Sequence, residues 1–130
     1  MTIKEVSEKY GLTQDTLRYY ERVGMIPAVR RTAGGIRDYS ESDLGWVELA
    51  VCMRSAGLPV EALIEYVRLF REGDSTISAR AQLLRDQRDA LLEQRAKIDA
   101  TLERLNYKIS RYEEAARTGV LSWDGDKCKK

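Results

Sequence analysis

The sequence predicts an all-α protein with one small β wing: a winged helix-turn-helix head, then a long helix that pairs with a partner helix. Three observations predict it. Short amphipathic segments punctuated by Gly11 and Gly24 open the chain, and a Gly-Gly turn flanked by arginines follows them. Apolar residues then recur every seven positions from Ile77 to Tyr112. The expected organisation is a head over 1–73, with the helix-turn-helix at about 4–23 and the wing at about 30–39. A dimerisation helix over 74–117 and a short tail over 118–130 complete it.

Each element has local grounds. Thr2-Ile3-Lys4-Glu5 has the form of a capping box, with Ile3, Val6 and Tyr10 on one helical face and Gly11 as the stop. Thr13 is the next N-cap, and Asp15 lies in the first turn, where the helix dipole favours an acid. A second helix runs from there through Leu17, Tyr20 and Glu21 to about Val23, where Gly24 ends it. Two short helices around a glycine-containing turn have the size of a helix-turn-helix. Arg-Arg-Thr-Ala, Gly-Gly, then Ile-Arg-Asp-Tyr reads as a hairpin, because Gly-Gly supplies the positive φ angles of tight turns. Ser40-Glu41-Ser42-Asp43 opens a third helix containing Leu44, Val47 and Val51, which ends near Ser55-Ala56-Gly57. Pro59 suits the first turn of a fourth helix whose apolar face is Leu63, Tyr66, Val67 and Phe70.

The long helix carries the repeat. Ile77, Leu84, Leu91, Ile98, Leu105 and Tyr112 lie seven apart, and four residues on from each stand Ala81, Arg88, Arg95, Leu102, Ile109 and Ala116. A sustained seven-residue repeat keeps one seam facing a partner helix, although the two central arginines interrupt it here. The expected dimer interface is Ile77, Leu84, Leu91, Ile98, Leu102, Leu105, Ile109 and Tyr112. The alternative, a helix folded on its own head, offers too little surface for so long a stripe.

Composition excludes several classes. Net charge is +1 and histidine is absent, which removes the commonest general base and a favoured metal ligand. Neither a paired-carboxylate site, a Cys-His arrangement nor a phosphate loop is legible, so an enzyme is not expected, and no cofactor is called for. No run of about 18 apolar residues and no leader region is present, and two distant cysteines make no disulfide framework. A reduced cytoplasmic protein, with no membrane contact, is expected.

The stretch TLRYYERVGMIPAVRRTAGGIRDYS, residues 16–40, concentrates arginine and tyrosine. These side chains reach phosphate oxygens while packing their apolar parts on the protein. Arg18, Tyr19 and Arg22 point away from the face of Leu17 and Tyr20, which suits a helix entering a major groove. Arg31, Arg37 and Tyr39 would flank it on neighbouring phosphates. The residues also allow a plainer arrangement, in which the arginines are solvated and the tyrosines are half-buried core.

LTQDTLRYYERVGMIPAVRR followed by GIRDYSESDL resembles the helix-turn-helix signature of MerR-type transcriptional regulators, and the resemblance covers residues 1 to about 70. It implies a homodimer joined by an antiparallel coiled coil and bound to double-stranded promoter DNA at a near-palindrome. There the two polymerase-recognition elements lie too far apart, and underwinding the duplex brings them into register for RNA polymerase, a control by DNA deformation. Carried over by position, Thr16, Arg18, Tyr19 and Tyr20 belong to the recognition helix and Arg31, Arg37 and Tyr39 to the wing, with Arg54 a further candidate phosphate contact.

Metal-sensing members of the family carry thiols around the long helix, whereas STISARAQ holds none and Cys128 has no partner in the tail. No metal is therefore expected. Nor is the tail long enough to be the ligand domain of drug-sensing members. Cys52 remains, and by its residues alone it is either a small buried hydrophobe or a reactive thiol near the cation of Arg54. WVELAVCMRSAGLPVEALIEY resembles the small MerR subgroup that answers aldehydes, nitrosative or other electrophilic stress through a single cysteine in this helix. That resemblance implies Cys52 as the sensor thiol; Cys128, in the setting DKCKK that fixes no geometry, reads as incidental or as a resolving thiol for Cys52. Two other readings stay open: a DNA binder with no effector, and a coiled-coil adaptor whose head binds protein.

Overall fold

The computed structural model describes residues 1–123, so Cys128 lies outside the described residues. The elements in order are α1 (Ile3–Tyr10), α2 (Gln14–Val23), α3 (Glu41–Ser55), α4 (Val60–Glu72), a 3-10 turn (Asp74–Thr76) and α5 (Ile77–Thr118). Local chemistry accounts for their ends. The Thr2 capping box closes in both directions: the Glu5 amide donates to the Thr2 hydroxyl at 3.2 Å, and the Thr2 amide to the Glu5 carboxylate at 2.8 Å. Ser40 and Asp43 form a second box of the same kind on α3, at 2.9 and 3.2 Å. Thr13 caps α2 by accepting from the Thr16 amide at 3.0 Å. Gly24, at φ +86°, ends α2 in the left-handed region that a side chain would strain.

That turn sends Met25 and Ile26 back under α2. Both are buried with Val6 of α1, Leu17 of α2, Val47 of α3 and Leu63 of α4, so every helix of the head contributes to one core. The apolar face expected on α4 is only half right. Leu63 and Val67 are buried, but Phe70 is exposed. It meets Trp46 of α3 edge-on at 5.0 Å between ring centres and carries the Arg80 guanidinium over its face at 5.5 Å. The core stripe instead passes through Ala62 and Leu69.

The wing is tighter than a hairpin with two strands. One antiparallel bridge joins Arg31 and Arg37, flanked by the Thr32 amide donating to Ile36 O at 2.7 Å and the Asp38 amide to Arg30 O at 2.8 Å. Arms this short leave room for little more than the turn. Of the Gly-Gly pair only Gly35 has a positive φ, +81°, and therefore needs to be glycine.

The Asp38 carboxylate fastens the wing's base. It accepts from Arg30 at 2.9 Å and from the Met1 amine at 3.3 Å. The Arg30 bond first, then the terminal amine, holds its pKa below the usual 3.8. A carboxyl with a lowered folded pKa stabilises the fold above its unfolded pKa, and that contribution is lost as pH falls through the lowered value. Urea unfolding followed from pH 6 downward should therefore show an acid-side loss that Asp38→Asn makes shallower. Parallel curves for the two proteins would refute the assignment.

The first compact unit runs from Met1 to Gln87, past the 1–73 head expected from sequence. The start of α5 is tied to α4 by the buried Thr76, whose hydroxyl donates to Leu69 O at 2.6 Å and accepts from Arg80 Nε at 3.1 Å. Arg80 also donates to Gly73 O at 3.2 Å. The second unit begins at Arg88. No residue of α5 is buried, and Ile98 (52%) and Leu105 (51%) are half exposed. Leu102, Ile109 and Tyr112 are similarly open, as are Ile77 and Leu84 in the first unit, whereas Leu91 is intermediate. Trp123 returns to this helix, its ring 6.3 Å from Tyr107 and 5.8 Å from Tyr112, and Arg111 donates to Ser122 O at 2.8 Å. The segment expected as a plain tail is docked at least that far. No helix of the described residues is long and apolar enough to cross a membrane.

Candidate nucleic-acid interface

The 3.6-residue period of α2 separates two faces. Leu17 and Tyr20 turn inward, while Asp15, Arg18, Tyr19 and Arg22 form one exposed stripe at i, i+3, i+4 and i+7. Arg18 donates to Asp15 at 2.8 Å and to Gln14 at 3.3 Å. Both contacts are exposed, and a surface ion pair of this kind costs little to exchange for a phosphate. The Arg22 guanidinium stands 5.5 Å from the Tyr19 ring centre, which keeps the two side chains together on the surface. Thr16 is half-buried, its hydroxyl 2.8 Å from that of Thr13, so it serves the cap and faces the start of the helix. Arg31 lies exposed on the wing and braces the turn by donating to Gly35 O at 3.0 Å.

Three expected contact residues stand differently. Tyr20 is buried at 7% exposure, and burial pushes its phenol pKa up. Tyr39 is 2% exposed, its hydroxyl without a hydrogen-bond partner among the described residues, and burial again raises its pKa. Both rings fill the core beneath the arginines: Tyr20 lies on the inner face with Leu17, and Tyr39 packs inward instead of flanking the helix on a phosphate. Arg37 is also turned in: its Nε donates to Glu21 Oε1 at 2.7 Å. Arg54, at the end of α3, donates to Leu58 O, which secures the turn into α4, and stays exposed. Sequence spacing could not separate these groups, because a side chain that reaches phosphate also reaches a carboxylate or carbonyl when the fold supplies one.

Cys52 lies exposed on α3, which removes the buried-hydrophobe alternative for the single chain. One and two turns before it on the same helical side are Leu49 and Gly45. These line a shallow groove with Ser42, Trp46 and Tyr66, and the Trp46 and Tyr66 rings are 5.7 Å apart. An exposed thiol on the helical side that carries Leu49 and Gly45 can meet a small electrophile without any opening of the fold. Among the described residues no group of three or more His, Cys, Asp or Glu side chains could hold a metal ion.

A family model described as MerR HTH family regulatory protein matches residues 1–85. The HTH-type transcriptional regulator AdhR of Bacillus subtilis is 57% identical over 93 residues, which are 72% of this chain and 66% of that protein. The chain thus spans just under two thirds of that relative. An uncharacterised HTH-type transcriptional regulator of Haemophilus influenzae is 30% identical, covering 92% of this chain and 89% of its own. Among solved structures, a MerR family transcriptional regulator from Listeria monocytogenes superposes with a TM-score of 0.88 at 44% identity, covering 92% of this chain and 90% of that one. The structure of HiNmlR, a MerR family regulator lacking the sensor domain and bound to promoter DNA, superposes with a TM-score of 0.81 at 30% identity. That match covers 92% of this chain and 95% of HiNmlR.

Proposed function

The chain belongs to the MerR HTH family of regulatory proteins, and on that premise we propose that it acts as a homodimer on promoter DNA, deforming an over-long spacer for RNA polymerase and switched by the Cys52 thiol. The observation that carries the reading is the stripe of Arg18, Tyr19 and Arg22 on α2, clear of the core and accompanied by Arg31 on the wing. A helix of this kind fits a major groove, and each cation set on a phosphate releases counterions, so affinity falls with salt. Two such heads are needed for a near-palindrome, and the open apolar stripe of α5 supplies the means of joining them. HiNmlR, a MerR family regulator whose structure holds promoter DNA, supports the promoter-binding reading.

The exposed Cys52 supports the switch. With an aldehyde, Sγ attacks the carbonyl carbon; the C–S bond forms as the carbonyl π pair moves to oxygen, and the thiol proton ends on that oxygen. The product is a hemithioacetal and needs no oxidant. With a nitrosating agent, Sγ takes the nitrosonium group and its proton leaves with the donor's anion. Either product enlarges the side chain on the helical side that carries Leu49 and Gly45, which biases the placement of α3. The setting is the reducing cytoplasm, where a thiol stays available.

In-vitro transcription from a promoter that the protein binds, with wild type and Cys52→Ser, with and without formaldehyde, methylglyoxal or a nitrosating agent, tests the switch. Wild type is expected to activate at least about tenfold when the electrophile is present, a change of about 1.4 kcal/mol. The serine variant is expected to bind the same duplex and stay at its basal rate. Equal responses from both proteins would remove the thiol from the mechanism and leave a regulator without cysteine chemistry.

A further inference from the structure

Resting on the reading of α2 and the wing as a DNA-binding surface, we propose that Glu21 is the positioning residue of that surface, a brace that sets the wing against the recognition helix, and that Arg37 is its partner rather than a phosphate ligand. Glu21 lies near the end of α2, and its two carboxylate oxygens go to different segments. Oε1 accepts from Arg37 Nε at 2.7 Å, and Oε2 accepts from the Val29 amide at 3.3 Å. One side chain thus joins the recognition helix to the chain leaving it and to the returning arm of the wing. The Arg31–Arg37 bridge carries the constraint across to the other arm, where Arg31 stands exposed.

The pair is sheltered, which decides how it behaves near DNA. The side chains of Arg37 and Glu21 are only 19% and 14% exposed, whereas those of Arg18 and Arg30 are 43% and 80% exposed. Moving Arg37 out to a phosphate would strand the Glu21 carboxylate, half-desolvated and beside the negative charge of the duplex. Arg18 and Arg30 can change partners at little cost; Arg37 cannot. The Tyr39 hydroxyl lies buried within reach of the charges of both Arg37 and Glu21, so the brace also sits on the core.

The two roles for Arg37 predict opposite signs for Glu21→Gln. If Arg37 is a phosphate ligand competed for by Glu21, removing the carboxylate charge frees the guanidinium and tightens binding. If the pair is a brace, the same change loosens the wing and weakens binding. The probe is a duplex enriched by the wild-type protein from a randomised library, titrated over a range of salt concentrations with the full chain. The proposal expects Glu21→Gln, Arg37→Gln and Arg37→Lys each to weaken binding by about tenfold or more, the scale of a lost charged hydrogen bond. It also expects the double variant Glu21→Gln/Arg37→Gln to be no weaker than the worse single one, and the salt dependence to keep its wild-type slope. Arg37→Lys is informative because it keeps the charge but loses the Nε–H that Glu21 holds. Glu21→Asp, one methylene short, replaces Glu21→Gln if that variant does not fold, and is expected to weaken binding similarly.

Tighter binding by Glu21→Gln, wild-type affinity in Arg37→Lys, or a salt slope in Arg37→Gln reduced by about one phosphate per protomer would each overturn the brace. A wild-type protein that enriches no duplex and shows no salt-dependent affinity would instead overturn the DNA-binding reading itself.

Discussion

Replacing Ile98 and Leu105 together by glutamate is expected to turn the protein into monomers at micromolar concentration. Both side chains stand half exposed on α5, seven residues apart on the stripe whose members would meet a second copy. Burying one such side chain is worth about 1.5–3 kcal/mol. In a symmetric dimer each substitution acts twice, and about half of each side chain is left to cover, so the apolar loss alone is on the order of 3–6 kcal/mol. The dissociation constant should rise by at least about 10²-fold, before any cost of burying four carboxylates is added. Sedimentation equilibrium reads the change directly. Binding to a duplex carrying both half-sites should fall steeply, while the weak affinity for a single half-site persists, because the head keeps its own core. A wild type that sediments as a monomer, or a variant that remains a dimer, would sink the assignment of this stripe to self-association.

Leu17→Ala should be the most damaging single change in the head. Leu17 is 0% exposed, in a core formed with α1, α3 and α4, and with Tyr20 it marks the inner face of α2. Leu-to-Ala changes at such sites cost about 2.7–5 kcal/mol, part in lost transfer and part in the cavity left behind. Against a total stability of about 5–15 kcal/mol this removes a large share. The melting temperature should fall by roughly 10–25 °C, at a fixed protein concentration so that association does not enter the comparison. Arg22→Ala, on the opposite face of the same helix, is the control and should stay within about 0.5 kcal/mol of wild type. If the two variants melt alike, the inward direction given to Leu17 is wrong.

Much of the head could be read before folding because its signals are short-ranged. Thr2 with Glu5, Thr13 with the Thr16 amide, and Ser40 at the start of α3 act within one turn, and residue type with spacing suffices to place them. The stripe Arg18, Tyr19, Arg22 follows from the helical period once Leu17 is known to be inside. The seven-residue repeat from Ile77 to Tyr112 likewise marks the open face of α5. The wing was legible as a turn but overdrawn as a hairpin, since the number of paired residues depends on how its arms meet the head.

The less legible contacts span longer distances along the chain. Trp123 docks on Tyr107 and Tyr112 although nothing in TGVLSWD sets it apart as more than tail. Phe70 leaves the core because Trp46 of α3 and Arg80 of α5 give it partners at the surface. Cys52 is exposed by the rotation of α3 about its axis, which a mixed apolar and polar helix does not announce.

The sequence by itself determined the order of the helices, their caps, the exposed cations of α2 and the periodic stripe of α5. Each of these is a consequence of spacing along one helix or one turn. Only the tertiary structure decided which arginines remain available and which tyrosines are core. Arg37 reaches Glu21 across 16 positions of sequence, and Tyr39 is buried beneath them. The reason is physical. A guanidinium takes whichever acceptor lies within hydrogen-bond reach and out of water, and the chain brings that acceptor near only after α2 and the wing have folded against one core.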